Sequence, residues 1–216
     1  AAAIADRAYE ELAERGTDGR TEKQIATDLE LRMRELGADA MSFPAIVASG
    51  AHGALPHASP RDTAVERDSF MIVDMGCIVD GYCSDCTRTF ATGSPDDAAR
   101  AVYELVGEAQ LAALGAVTAG ADCRDVDSVA RDMINAAGHG EHFGHGLGHG
   151  VGLEIHEGPR LAQTAEGTLR AGNTVTVEPG VYLPGVLGVR IEDLVAVTDS
   201  GCEILSGFTK SLVSVS

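Results

Sequence analysis

Carboxylates inside otherwise apolar strand segments constrain this chain more than any other feature of its sequence. Asp74 stands in the run MIVDMG and Glu178 in the run TVTVEPG, and Asp85 and Glu192 follow them by 11 and 14 residues. An ionised carboxylate is costly to bury unless a cation or a metal ion compensates its charge. The fold must therefore bring compensating positive charge to these four acids.

The two carboxylate pairs lie in segments of similar layout. Each half of the chain has two helical segments followed by two extended segments, with one carboxylate just before an x-Gly turn and another on the returning strand. Such an internal correspondence predicts an α+β fold, with a pseudo-twofold antiparallel sheet covered by helices. The four acids are expected to converge where the two halves meet.

Hydrophobic periodicity and capping residues predict the individual elements. Thr21 followed by Gln24 is a capping-box pattern for the second helix. The predicted helices are 2–15, 22–36, one that opens at Ser94-Pro95 and one that runs from Asp122 to Gly138. The predicted extended segments are 43–50, 69–82 with a turn near Asp80-Gly81, 83–93, 173–183, 188–198 and short terminal strands.

The composition excludes several classes of partner. The net charge of −17 would repel nucleic acid and an anionic membrane surface. No run of 18 apolar residues is present, and the N-terminal segment is typical of an amphipathic helix, so we expect a cytoplasmic protein. Only two of the 16 basic residues are lysine, which together with the acidity favours an organism with a salt-rich cytoplasm.

The number and spacing of the cysteines argue against a disulfide framework. Five cysteines, an odd number at irregular intervals, are expected to be free packing residues. Cys83 and Cys86 form a CxxC pair, but no second pair accompanies them to complete a zinc site. No linker divides the sequence, and a single domain over residues 1–216 is expected.

Histidines are concentrated in one glycine-rich tract. Five of the seven lie between residues 139 and 156, with His145, His149 and His156 at offsets of 0, 4 and 11. One imidazole added to four carboxylates gives the mixed donor set that suits manganese, cobalt, iron or zinc, and two divalent cations would relieve the repulsion among the acids. Two alternatives to a metal site remain open. In the first, the histidine tract is a flexible surface loop or binds metal only adventitiously. In the second, the acids are exposed at strand ends or paired with Arg88 or Arg190.

The order and spacing of these residues resemble one known family. Asp74, Asp85 in SDCTRT, His149, Glu178 in VEPG and Glu192 in VRIED are similar to the catalytic domain of the pita-bread metallopeptidases. Within that family the sequence most resembles the Xaa-Pro peptidases, prolidase and aminopeptidase P. The resemblance covers essentially the whole chain.

The resemblance implies a dinuclear metal centre. Asp74 would bind one ion, Asp85 and Glu192 would bridge two, and His149 with Glu178 would complete the second. Two cations, of manganese, cobalt or zinc with iron also possible, would lower the pKa of a nucleophilic water. Glu178 would act as the general base.

Outside the metal ligands, the resemblance implies a set of substrate-handling residues. His57, His145 and His156 would hold the substrate carbonyl, stabilise the oxyanion and contact the leaving proline. Arg190 would support the ligands or bind substrate. The other histidines are predicted to be loop residues: His52, His139 and His142.

Two other functions remain open from the sequence. Methionine aminopeptidase has the same fold and five ligands, and some pita-bread domains are non-catalytic binding modules. The expected substrate is a small peptide with proline at its second position. From the resemblance we expect residues 1–216 to be the catalytic domain without the family's usual N-terminal domain, and we expect a homodimer for the full-length form.

Overall fold

The computed structural model describes residues 1–216, and its helices lie close to the predicted positions. Four α-helices are present: α1 (Ala2–Arg15), α2 (Glu22–Glu35), α3 (Asp97–Ala116) and α4 (Cys123–Ala136). The capping box is confirmed, because Gln24 N donates to Thr21 Oγ1 at 3.2 Å and Thr21 N donates to Gln24 Oε1 at 2.9 Å. The start predicted for α3 was two residues too early, because its N-cap is Asp96, which accepts from Ala99 N.

The strands are shorter and more numerous than predicted. They are β1 (Ala40–Met41), β2 (Ile46–Ser49), β3 (Phe70–Met75), β4 (Cys77–Val79), β5 (Tyr82–Cys83), β6 (Cys86–Ala91), β7 (Gly148–Gly150), β8 (Glu157–Leu161), β9 (Thr174–Val177), β10 (Gly180–Leu183), β11 (Leu187–Arg190), β12 (Asp193–Thr198) and β13 (Gly201–Ile204). Two short 3-10 helices, Gly50–Ala54 and Gly140–His142, complete the structure. The predicted strand 43–50 is therefore reduced to four residues and runs into the first of these turns.

Each of the four long segments predicted as continuous strands is interrupted. The interruptions fall at Gly76, at residues 84–85, at residues 178–179 and at residues 191–192. At each one the chain leaves one hydrogen-bonded ladder and enters another, which periodicity alone does not reveal. Asp85, Glu178 and Glu192 lie in these interruptions, and Asp74 lies two residues before one. The breaks thus direct side chains away from the regular alternation of a strand.

The predicted two-half architecture is confirmed. Strands β3 to β6 and strands β9 to β12 follow the same order of strand, break, hairpin, break and strand, and all pairings between strands are antiparallel. The strands form four ladders rather than one sheet, in the orders β2-β3-β6, β1-β4-β5, β10-β11 and β13-β12-β9-β7-β8. Helices α1 and α2 contribute to one core of 18 buried residues, and α3 and α4 to another of 26. Each half therefore has its own pair of covering helices.

The two halves meet through hydrogen bonds between β6 and the segment that joins β11 to β12. Glu192 N donates to Thr87 O at 3.2 Å, and Arg190 N donates to Thr89 Oγ1 at 3.1 Å. Thr89 Oγ1 in turn donates to Arg190 O at 2.9 Å.

A Cβ at Gly76 would lie 1.9 Å from Ser84 O, so only glycine allows the first hairpin, β4–β5, to bend this tightly.

All five cysteines are free, as predicted. None of the helices is long and apolar enough to cross a membrane.

Tyr9 of α1 offers a direct test of how the helices hold the first hairpin. Its hydroxyl, fully buried, lies 2.9 Å from Val73 O and 2.7 Å from Cys86 O, next to the residues Asp74 and Asp85. We predict that Tyr9→Phe lowers the free energy of unfolding in urea by about 1–3 kcal/mol, because the buried carbonyls lose a donor. Tyr82→Phe, at a 61% exposed position, is the control. Equal stability of the two variants would contradict this role.

Candidate metal centre

One cavity of about 480 Å³ brings together every residue that the sequence marked for the site. It opens where the β3–β6 and β9–β12 halves meet. Its lining includes Asp74, Asp85, His149, Glu178 and Glu192, together with His57, His145, His156 and Arg190. The convergence of these residues is a property of the fold; the role of each remains a prediction.

Three carboxylates form the floor of the cavity. One oxygen from each of Asp74, Asp85 and Glu192 lies within 4.8 Å of the others, which is the separation expected of ligands around a shared cation. The three residues are only 8%, 6% and 1% exposed. Arg190 Nη2 pairs with Asp74 Oδ2 at 2.7 Å, so part of the alternative expectation, a carboxylate paired with arginine, is also correct.

In two of these carboxylates, those of Asp74 and Glu192, one oxygen accepts hydrogen bonds and the second oxygen accepts none. Thr87 Oγ1 donates to Glu192 Oε2 at 2.7 Å, and Arg190 holds Asp74 Oδ2. Asp74 Oδ1 and Glu192 Oε1 are buried without any hydrogen-bond partner. Because an unsatisfied buried oxygen is costly, this arrangement fits a site in which the free oxygens bind a divalent cation.

Burial and mutual repulsion raise the pKa values of these acids. Burial raises the pKa of Asp85 well above its ordinary value, and the charges of Glu192 and Asp74 raise it further. Burial also raises the pKa of Glu192 well above its ordinary value, with Glu178 and Asp74 adding to the effect. For Asp74 burial again raises the pKa, and Arg190 offsets part of the rise. The ionised cluster needs more positive charge than one arginine provides.

His149 and Glu178 face the carboxylates from the second half of the chain. His149 Nε2 lies 3.2 Å from Glu178 Oε1 and 3.6 Å from Asp85 Oδ2. Its Nδ1 lies 3.1 Å from Gly150 O, so the Nδ1–H donates to that carbonyl and Nε2 faces the carboxylates. Nε2 donates to Glu178 when the ring is protonated and offers its lone pair to a metal ion when the ring is neutral. Although burial opposes ionisation, the hydrogen bond from His149 lowers the pKa of Glu178, and Thr176 Oγ1 donates to the same Oε1 at 3.0 Å.

Tyr182 joins the metal centre to His145 and was missed by the sequence reasoning. Its hydroxyl accepts from Arg190 Nη1 at 2.8 Å and lies 2.9 Å from His145 Nε2, while His145 Nδ1 lies 2.7 Å from Gly146 O. Burial raises the pKa of Tyr182 to about 12, so its phenol stays protonated and donates to Nε2. Both ring nitrogens of His145 are thus engaged within the protein, and direct contact with substrate would require one of these bonds to break.

Three exposed basic side chains line the outer part of the cavity. His57 lies after the Gly50–Ala54 turn, and His156 packs edge-on against His149 with ring centroids 4.3 Å apart. Arg160 was also missed by the sequence reasoning, although its position in register opposite His149 on β7 and β8 brings it to the same wall. The sequence signal that could have identified Arg160 is its position in the strand that follows the histidine tract.

Three expectations are corrected by the structure. His52 is not a loop residue free of contacts: its ring is buried against Glu22, with Nδ1 2.9 Å from Glu22 Oε2. Arg88 does not pair with any of the four acids; it forms a buried ion pair with Asp193 at 2.9 Å. Asp85 also lies between β5 and β6 rather than on a continuous return strand.

Comparison with known proteins identifies the family. The family model described as metallopeptidase family M24 matches residues 1–199. This chain belongs to metallopeptidase family M24. An M24 relative from Pyrococcus furiosus, named Xaa-Pro dipeptidase, is 42% identical over 210 residues, which are 97% of this chain and 60% of the relative.

Solved structures show that the M24 chain has the pita-bread fold. The X-Pro aminopeptidase from Thermotoga maritima matches with a TM-score of 0.97 and 44% identity, over 100% of this chain and 61% of that one. The Xaa-Pro dipeptidase from Bacillus anthracis matches with a TM-score of 0.97 and 45% identity, over 99% and 60%. This M24 chain therefore spans about 60% of the length of the relatives that it matches.

Because the carboxylates repel one another, neutralising one of them is predicted to stabilise the protein instead of destabilising it. In chelator at pH 7, Asp85→Asn should raise the free energy of unfolding by about 1–3 kcal/mol, because the change removes a buried charge that is desolvated and repelled by Glu192 and Asp74. Added manganese should then stabilise the wild type more than the variant. Urea unfolding with and without metal measures both effects.

The matched control is Asp193→Asn. Asp193 is equally buried, but Arg88, Gln110 and Lys210 satisfy its carboxylate, so its neutralisation should destabilise the protein. Destabilisation by Asp85→Asn to the same extent as by Asp193→Asn would show that the cluster is already compensated.

Proposed function

We propose that this chain is the catalytic part of a dinuclear metallopeptidase that hydrolyses peptide bonds preceding proline. The observation that carries the proposal is the cavity in which two partnerless carboxylate oxygens, of Asp74 and Glu192, lie beside Asp85 and opposite His149. The M24 relatives named Xaa-Pro dipeptidase and X-Pro aminopeptidase support the substrate class. Dipeptidase activity, that of a prolidase, is favoured over aminopeptidase P.

Two divalent cations fit the five donors. Asp74 would hold one ion, His149 and Glu178 the other, with Asp85 and Glu192 between them. Four carboxylates and one imidazole suit manganese, cobalt or zinc, with iron also compatible. When bound, the ions lower the pKa of a water molecule and stabilise negative charge on the substrate carbonyl oxygen.

Glu178 is placed to accept a proton in this reaction. Its lowered pKa keeps the carboxylate ionised at neutral pH. Thr176 and His149 both contact Oε1, which leaves Oε2 without a protein hydrogen-bond partner. A fixed carboxylate with one free oxygen can take a proton from the nucleophile and pass it to the leaving nitrogen.

The walls of the cavity suit an Xaa-Pro substrate. Phe43, Pro44 and Ile155 supply apolar surface for a pyrrolidine ring, which has no N–H to offer as a recognition handle. Arg160 is exposed at the same cavity and makes no ion pair in the structure. Its guanidinium is suited to the carboxylate of a substrate that ends at proline, which favours dipeptides.

We further propose that the protein acts in the cytoplasm, as a homodimer in its full-length form. Five free cysteines are in keeping with a reducing compartment. The dimer is an expectation from the family resemblance.

The experiment that tests this function compares Ala-Pro, Ala-Pro-Ala and Met-Ala as substrates, with manganese, cobalt and zinc added in turn. We expect Ala-Pro to be hydrolysed fastest and Glu178→Ala to reduce turnover by at least 10²-fold, since both a general base and a ligand are lost. His156→Ala should reduce turnover while leaving metal content unchanged. Metal content by mass spectrometry accompanies every assay.

The outcomes separate the competing functions. Preferred cleavage of Met-Ala would indicate a methionine aminopeptidase, and a metal-loaded protein inert toward all three peptides would indicate a binding module. Arg160→Ala should raise KM for Ala-Pro more than for Ala-Pro-Ala, because only the dipeptide places its carboxylate next to the scissile bond. An equal effect on both peptides would overturn the dipeptide assignment.

A further inference from the structure

A second pair of potential metal ligands lies at the end of α4, outside the carboxylate centre. His139 and His142 flank the 3-10 turn Gly140–His142, and His142 N donates to His139 O at 2.9 Å. Residues i and i+3 are eclipsed in a 3-10 turn, so the two imidazoles lie side by side. Their Nδ1 atoms are 3.1 Å apart, which is a hydrogen bond from one ring to the other, and their ring centroids are 5.3 Å apart. An ion bound to both Nδ1 atoms replaces this hydrogen bond, and both rings then carry their proton on Nε2.

This separation is the one that a chelating pair requires. Zinc binds histidine nitrogen at about 2.0–2.1 Å, so two nitrogens 3.1 Å apart subtend an angle of about 100° at an ion bound to both. That angle lies between the octahedral and tetrahedral values. The backbone turn fixes both side chains before any ion arrives, which reduces the entropy lost on binding.

The electrostatic surroundings favour a cation. The turn follows the C-terminal end of the 14-residue helix α4, where the helix dipole is negative. His139 N donates to Ile134 O of that helix at 3.0 Å, which holds the turn against the helix end. His139 also lines a second cavity of about 640 Å³, whose acidic residues are Glu66, Asp68 and Asp96. The nearby Arg131 is neutralised by its ion pair with Asp127.

The geometry points to a further metal site in which His139 and His142 chelate a divalent ion of the zinc, copper and nickel class. Two imidazoles and water select these borderline ions over manganese, which prefers oxygen donors. The site is separate from the carboxylate cavity, because neither histidine lines that cavity. The turn leads directly into Phe143, whose ring packs edge-on against His145 at 5.1 Å, so a bound ion also braces the segment that carries His145.

Equilibrium dialysis of the whole chain against micromolar zinc, with metal counted by mass spectrometry, tests the site. We expect the wild type to bind one more zinc ion per chain than His139→Ala or His142→Ala, and to bind no extra manganese. The difference between wild type and variant does not depend on how many ions the carboxylate centre holds. Failure of the proposed peptidase function would therefore leave this result unaffected.

The matched control exchanges two neighbouring residues, Glu141→His with His142→Glu, and so preserves composition and charge. Histidines at i and i+2 are not eclipsed, so this variant should also lose the extra zinc ion, while its circular dichroism and thermal midpoint remain those of the wild type. Retention of the ion by the exchanged variant, or equal zinc content in the wild type and both single variants, would overturn the proposal.

Discussion

The fold depends on accommodating three buried carboxylates in one place. Asp74, Asp85 and Glu192 are brought within 4.8 Å by two strand systems that are otherwise apolar, and Arg190 is the only arginine or lysine that pairs with any of them. Repulsion and desolvation therefore act against the folded state unless a cation is present. A protein that keeps such a cluster sacrifices stability at the site, as functional sites commonly do. The cores on either side supply the stability that the site lacks.

The cluster is positioned partly by residues outside the lining of the cavity. Thr87, from the first half of the chain, donates to Glu192, and Thr176, from the second half, donates to Glu178. Tyr182 and Arg190 connect Asp74 to His145 through buried hydrogen bonds. These contacts fix which oxygen of each carboxylate is free. Such outer contacts determine ligand orientation as much as the ligands themselves do.

The sequence predicted the two-half fold and nine of the residues that line the cavity, but not the path of the strands. Helix caps such as Thr21 and Asp122 are local signals, and the spacing of Asp74, Asp85, Glu178 and Glu192 is visible in one dimension. The breaks at residues 84–85, 178–179 and 191–192 depend on which strand pairs with which, and this is a long-range property. The strand predictions were too long for that reason.

Individual contacts were equally hidden. The partner of His52 is Glu22, 30 residues away, and the partner of Arg88 is Asp193, 105 residues away. Tyr182 carries no motif of its own; its importance follows from its distance to His145 and Arg190. Side chains of this kind can be recognised only once the chain is folded, because their partners are distant in the sequence or carry no motif.

The most direct measurement of the central claim is anomalous diffraction from crystals of this chain grown with manganese. If the partnerless oxygens of Asp74 and Glu192 serve a dinuclear centre, the anomalous difference map will contain two peaks in the cavity. One peak should lie within about 2.5 Å of Asp74, the other within about 2.5 Å of His149 and Glu178, and both next to Asp85 and Glu192. A map with no peak among these residues at saturating manganese would contradict the claim.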